Sequence, residues 1–292
     1  MLPAKIYRYY EGSKLANLYL VSRPTYPTEI LESVLKYLKD GIKPNCKPRK
    51  MIDVGCGSGQ NTHMYSHHFE SILGIDISEA QIVLANKINT SENVCFQLVD
   101  DNLLPVEDST IDLVTCACSA HWLDMEIFER ECERVLKPGG CCAIYTYVPI
   151  KATKVTQSNE GYIKSISLIE VHRDYLSNVN AHHRTTVAFD FYVEIFKQLK
   201  NNTKEWNNGI ESNAIYTMSE YKDFFASMGE YHIGNYTSCN DPLDVLAKKV
   251  KKLLDVENTA DEELSFILTY VYPTIVFRKT QKDETIHGLK TV

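Results

Sequence analysis

Three glycines at alternate positions follow a short apolar run in Met51-Ile52-Asp53-Val54-Gly55-Cys56-Gly57-Ser58-Gly59-Gln60-Asn61-Thr62. Met51, Ile52 and Val54 suit a buried strand, and glycines after a strand let the backbone turn sharply and approach a ligand closely. Open α/β sheets bind ligands at this end of their strands. A dinucleotide fingerprint spaces its glycines G-x-G-x-x-G to seat a pyrophosphate on a helix N-terminus. Here the spacing is G-x-G-x-G, and Asp53 sits beside the turn, where a carboxylate repels pyrophosphate but holds a cationic amino-acid portion. A second apolar run, Ile72-Leu73-Gly74-Ile75, ends in Asp76, whose carboxylate can accept from two ribose hydroxyls. A nucleoside carrying positive charge fits this pattern better than a dinucleotide does.

The pattern continues in order along the chain. Phe96 to Pro105, including Asp100 and Asp101, Ile111 to Thr115, and Arg134 to Gly140 follow the glycine loop. Together these segments resemble the class I S-adenosylmethionine-dependent methyltransferases. Ala16-x-x-Tyr19-x-x-x-Arg23-Pro-Thr-Tyr-Pro27 and Ser119-Ala-His121-Trp122-Leu-Asp124 are similar to segments of a small-molecule branch that includes trans-aconitate methyltransferases.

The resemblance implies that Asp53, Gly55, Cys56, Gly57 and Gly59 line the methionine portion of S-adenosylmethionine. It also implies that Asp76 takes the ribose, Ile77 covers the adenine, and Asp100, with the backbone near Asp101, faces its edge. A helix N-cap is the competing reading of Asp76. Ser119, His121 and Trp122 would stand where the sheet opens toward the transferred methyl. His121 would orient substrate or take a proton there, and Trp122 would form a wall. Tyr19 and Arg23, four residues apart, share one helical face and could close over the cofactor, with Arg23 pairing its carboxylate. A surface ion pair is the alternative for Arg23.

The chain has 292 residues and a net charge of −7, which weighs against a protein built to grip nucleic acid. Nine cysteines fall in no paired zinc spacing. Cys116, Cys118, Cys141 and Cys142 lie in apolar runs and read as reduced core residues, and no metal site is expected. No charged leader and no membrane-length apolar run is evident, so a cytoplasmic protein without membrane partners is expected. The tail from Gln281 to Val292 is expected to fray.

Ile30, Leu31, Val34, Leu35 and Leu38 recur at helical spacing. Apolar strands at Ile52–Val54, Ile72–Asp76, Val94–Val99, Leu113–Cys118 and Cys142–Val148 alternate with helices, including Glu126–Leu136, which argues for a parallel sheet covered on both faces. Residues 157–201 predict a helical cap. Beyond it a helix is expected at Tyr216–Met228, a strand at Glu230–Thr237, a helix at Leu243–Leu254 and a strand at Leu264–Phe277.

The fold class expected is α/β: a Rossmann-like, mostly parallel sheet with helices on both faces, plus N-terminal helices and the cap. The resemblance adds seven strands with the last antiparallel. One domain over 1–292 is expected, with an N-terminal helical segment at 1–50, a cofactor core at 51–150, a substrate cap at 151–212 and a C-terminal part at 213–292 that completes the sheet. In the cap, His172, Arg173, Tyr175, His182, His183 and Arg184 form a set of donors suited to an anion.

Methyl transfer from a sulfonium expels a neutral thioether, so alignment is what the protein must supply, worth roughly 7–11 kcal/mol. The expected activity is methylation of a small molecule, most plausibly on an organic-acid carboxylate, which needs no general base. The alternatives are methylation of a protein or of a small-molecule hydroxyl or amine, and a silent cofactor-binding scaffold.

Overall fold

The computed structural model describes residues 9–43, 48–99, 103–154, 164–237 and 239–279. The chain begins with two helices, α1 (Ser13–Ser22) and α2 (Thr28–Gly41). It then alternates strand and helix through β1 (Lys50–Val54), α3 (Gln60–Met64), β2 (Ser71–Asp76), α4 (Glu79–Ile88) and β3 (Val94–Leu98). After β4 (Ile111–Ala117), a 3-10 turn (Ala120–Trp122) leads into α5 (Met125–Val135) and β5 (Leu136–Tyr145). Next come β6 (Val148–Lys154), β7 (Ser165–Ser167), α6 (Ile169–Asn178), α7 (His183–Phe189), α8 (Val193–Gln198), β8 (Glu205–Asn207) and β9 (Glu211–Thr217). The chain finishes with α9 (Met218–Ala226), a second 3-10 turn (Gly229–Ile233), α10 (Pro242–Leu253), β10 (Ser265–Val271) and β11 (Thr274–Arg278).

The main sheet has the order β3-β2-β1-β4-β5-β11-β8. Strands β1 to β5 run parallel, and β11 lies antiparallel between β5 and β8. Strand order reverses between β1 and β4, so the loops after these two strands diverge and leave a crevice at their carboxyl ends. The central strands are mostly apolar, as burial on both faces favours: β4 is buried from Ile111 to Cys116. On α2, Ile30, Val34, Leu35 and Leu38 are buried, and this helix packs on β5 and β11. Asp124 caps α5 by accepting from the amides of Glu126 and Ile127, both at 3.1 Å.

A second sheet, β7-β6-β10-β9, was not anticipated from the sequence. The chain leaves the main sheet after β5 at Thr146–Tyr147, rejoins it briefly at β8, and returns to it finally at Tyr272–Pro273 between β10 and β11. The first and last of these crossings meet. The Thr146 amide donates to the Pro273 carbonyl at 3.2 Å, so the crossings fasten each other. The expected single strand Leu264–Phe277 is therefore two strands in two sheets, broken where proline has no amide for a ladder.

Other expectations also need correcting. Glu230–Thr237 is not a strand; its first part belongs to the 3-10 turn Gly229–Ile233. The helix expected from Tyr216 begins at Met218, because Thr217 and Glu220 form a reciprocal capping box there. The fifth strand spans Leu136–Tyr145 rather than Cys142–Val148. Residues 155–163 and the tail from Thr280 lie outside the described residues. No described helix is long and apolar enough to cross a membrane.

Gly139 sits at φ +84°, and a Cβ there would lie 2.2 Å from the Gly41 carbonyl oxygen. Backbone must then move against backbone, so Gly139→Ala is expected to cost roughly 2–4 kcal/mol. The check is a lowered urea midpoint with an unchanged slope.

Candidate functional site

The glycine loop after β1 is held from behind by β2. The amides of Gly55 and Cys56 both donate to the Ile75 carbonyl, at 2.8 and 3.0 Å, and the Gly59 amide donates to the Cys56 carbonyl. The Gly57 amide donates to Asp76 Oδ2 at 2.8 Å, while Asp76 Oδ1 accepts from the Ser78 amide at 2.8 Å. With these four amides engaged, the loop lacks the free donors by which a phosphate nest grips its ligand.

Gly55, at φ +68°, packs against Ser119: a Cβ there would sit 2.5 Å from the Ser119 Cβ. Ser119 Oγ in turn donates to the Val54 carbonyl at 2.8 Å. The loops after β1 and β4 are thereby clasped together. A large cavity opens above the clasp, lined by Gly55, Gly57, Asp76, Ile77, Ser119, His121 and Trp122 among others.

Asp76 is half-buried in the cavity wall, and burial raises its carboxyl pKa against the amides that stabilise the anion. It is not a helix cap, because Ser78 takes that position on α4.

Asp53 is a correction. It is fully buried beneath the loop, not in the cavity wall. Thr62 Oγ1 donates to it at 2.6 Å, Thr115 Oγ1 at 2.7 Å and Asn61 Nδ2 at 2.9 Å. It therefore fastens β1 to α3 and β4. Burial pushes its carboxyl up to about 6, opposed by the three donors. Cys56 and Gly59 are likewise absent from the cavity wall. The Cys56 side chain is buried, and Gly59 lies at φ +89° as the N-cap of α3. Asp100 and Asp101 lie outside the described residues.

At the opposite wall, His121 Nδ1 is 2.9 Å from the hydroxyl of fully buried Tyr192. Burial, reinforced by the Arg23 and Arg184 guanidiniums, lowers the His121 pKa to about 3, far from the ordinary value that suits a proton acceptor. Trp122 packs between Tyr9 and His182, with ring centroids 5.2 and 5.9 Å away. Arg184 lines the cavity and donates through Nη1 to the Trp122 carbonyl.

The rest of the expected cap cluster disperses. Arg173 is exposed and pairs with Glu170, His183 is exposed near Glu194, and Tyr175 is buried against the Phe225 carbonyl. His182 caps α7, and His172 is buried beside Tyr221. The helical period placed these residues in one region, but their faces differ. Cys118 packs against the core and also lines the cavity.

Arg23 follows α1, and its guanidinium lies over the Tyr19 ring at 4.7 Å and the Phe224 ring at 4.9 Å. Nε donates to Ser227 Oγ at 2.7 Å and Nη1 to the Tyr147 hydroxyl at 3.2 Å. Nη2 is buried and has no hydrogen-bond partner among the described residues. The surface ion pair considered from sequence is not what its position shows. Gln81, also in the wall, leaves its Oε1 buried and without a hydrogen-bond partner among the described residues. Tyr9, Tyr10, Tyr147 and Gln81 are wall residues that the sequence reading missed, and no spacing marks them. The one available signal was the Tyr9-Tyr10 pair ahead of α1.

A family model described as a methyltransferase domain matches residues 52–144, the stretch that carries both clasped loops. The chain is 26% identical over 252 residues to a Dictyostelium discoideum protein named as a methyltransferase, covering 84% of this chain and 85% of that one. It is 33% identical over 124 residues to norajmaline N-methyltransferase of Rauvolfia serpentina, covering 40% and 42%. Among solved structures, a type II methyltransferase from Anaeromyxobacter dehalogenans shares the fold, with TM-score 0.62 and 19% identity over 89% of this chain and 99% of that one. The chain is an S-adenosylmethionine-dependent methyltransferase.

The match to norajmaline N-methyltransferase spans less than half of that protein's length, so its substrate stays with it. The cavity suits the cofactor on its own chemistry. A buried unpartnered donor, Arg23 Nη2, and a buried unpartnered acceptor, Gln81 Oε1, match a group with both a carboxylate and an ammonium.

Asp53 generates a stability test. Below pH 3.8 its carboxyl is neutral in both folded and unfolded chains, and the folded state has its full support. As pH rises from 3.8 to about 6 the unfolded chain releases the proton while the folded one keeps it, so stability falls, by on the order of 3 kcal/mol. Denaturant midpoints across this window should show the decline in the native protein and lack it in Asp53→Asn.

Proposed function

We propose that the enzyme methylates a carboxylate oxygen of a small organic acid. The observation that carries this reading is a guanidinium in the cavity wall, Arg184, whose charge helps keep the nearby His121 neutral. A hydroxyl acceptor has a proton to lose, and His121, with its pKa near 3, accepts one poorly. A carboxylate is already a nucleophile and needs only a counter-charge and alignment. The net charge of −7 further favours a small acceptor over nucleic acid.

S-adenosylmethionine supplies an electrophilic methyl on a sulfonium that departs as a neutral thioether. In this reading Asp76 takes the ribose hydroxyls, having one backbone amide on each oxygen and further acceptor capacity toward the cavity. The Gly55–Gly57 turn floors the amino-acid portion, Ile77 covers the base, and Arg23 Nη2 and Gln81 Oε1 hold the carboxylate and ammonium. Asp100, with the backbone near Asp101, is the assigned partner of the adenine edge. Ser119 acts by packing, since its hydroxyl is already engaged.

Arg184 receives the acceptor's carboxylate, and His121, oriented by Tyr192, positions it. Trp122, Tyr9 and Tyr19 wall the site, exclude water and present aromatic faces that favour a nearby sulfonium.

A survey with radiolabelled methyl donor over small organic acids should give base-labile, volatile label, as an ester does. A base-stable product would overturn the carboxylate reading. Arg184→Gln should raise KM for the acid about 10–100-fold, the loss of a charged hydrogen bond, with S-adenosylhomocysteine affinity unchanged by calorimetry. Asp76→Ala should instead weaken S-adenosylhomocysteine. The pH profile of kcat should show no inflection near 6.5, the ordinary histidine value.

A further inference from the structure

A second cavity of about 270 Å³ lies beside the first, and Phe189 of α7 belongs to the walls of both. The far side is formed by α6 and the turn after it, with Ile169, Leu176 and Ala181 giving an apolar lining. His172 is the buried polar group in that wall, which also carries Arg173, Ser177, Asn180, Thr186 and Asp190. It is only 2% exposed, its Nε2 is 2.6 Å from the Tyr221 hydroxyl, and its Nδ1 is buried with no hydrogen-bond partner among the described residues. An unmade hydrogen bond at a buried ring nitrogen destabilises the fold, and a ligand that supplies the partner recovers that loss.

Burial holds His172 neutral at working pH, with its pKa lowered to about 3. The nitrogen is therefore matched to an uncharged partner and not to a second carboxylate. The charged residues of this wall, Arg173 and Asp190, are both exposed and of opposite sign.

From this geometry we propose that the second cavity receives the far end of the methyl acceptor, an elongated acid whose apolar chain passes Phe189 and whose distal hydroxyl or carbonyl bonds His172 Nδ1. The proposal rests on the carboxylate reading for the near end of that molecule. Helix α7 serves both ends: Arg184 and Thr185 face the methyl-transfer cavity, while Thr186 and Asp190 line the second.

The test compares acetic acid, hexanoic acid and the terminal-hydroxyl derivative of hexanoic acid on the full chain loaded with S-adenosylhomocysteine, by ligand-observed NMR, and then as acceptors with S-adenosylmethionine. The hydroxylated acid should bind about tenfold more tightly than hexanoic acid. His172→Phe should erase that difference. Ser177→Trp, at an exposed position in the cavity wall where folding is not at stake, should weaken both long acids and leave acetic acid unaffected.

Equal affinities for the two long acids, or a Ser177→Trp enzyme that treats all three acids as the native one does, would overturn the proposal. Phenol, which needs no carboxylate site, separates the two readings. If no acid is methylated yet phenol binds and Ser177→Trp displaces it, the carboxylate reading alone falls. If phenol does not bind, the second cavity is no site.

Discussion

The site depends on one lock between neighbouring strands. The Ile75 carbonyl takes two amides of the glycine loop and the Asp76 carboxylate takes a third, so β2 decides the shape of a turn that belongs to β1. Spending those donors internally removes the feature that would attract phosphate and leaves a loop whose open face is carbonyl and Cα–H. The same lock presents Asp76 to the cavity with a fixed orientation. On the other side, Gly55 gives Ser119 the room to approach, which brings the loop after β4 against the loop after β1. Cofactor end and acceptor end are positioned by two contacts made across three strands.

The cavity's electrostatics follow from what surrounds it. Asp76 and Glu11 line the same cavity as Arg23 and Arg184, whose fields are felt at His121. Buried aromatic side chains keep water out and make each charge count for more than it would in solvent. The neutrality of His121 is a consequence of this setting, since burial and two nearby cations all oppose a further positive charge. A histidine so placed positions and does not titrate. Its partner Tyr192 lies at φ +57° directly after Phe191 at φ +58°, two non-glycine residues in a left-handed conformation that over-determined packing sustains.

Much of the architecture was legible because it is local. Alternation and helical period located β1 to β4, α2, α5 and α10, and the glycine spacing located the turn at which the cavity forms. The misreadings share a cause. Leu264–Phe277 is mostly apolar and reads as one strand, yet its halves sit in different sheets, because the partner strands that claim them lie far away in sequence. His172 and Arg184 fall in the same helical stretch, and only packing turns one inward to Tyr221 and the other to the methyl-transfer cavity. Asp53 is adjacent to the loop in sequence, but strand alternation points it below the sheet's rim, where Thr62 and Thr115 wait.

By itself the sequence determined the turn chemistry, the alternation of the main strands with helices and a preference for a charged nucleoside over a dinucleotide, because these rest on residue types at short spacing; the reaction type came from the resemblance of several segments taken in order. The tertiary structure decided the rest. It made Asp53 a buried fastener, left Arg23 one unmet donor, drew Gln81, Tyr9 and Tyr147 into the wall, and set a second cavity behind Phe189. Each outcome depends on which distant surfaces meet, and burial changes the charge and hydrogen-bonding state of a side chain in ways that no local pattern encodes.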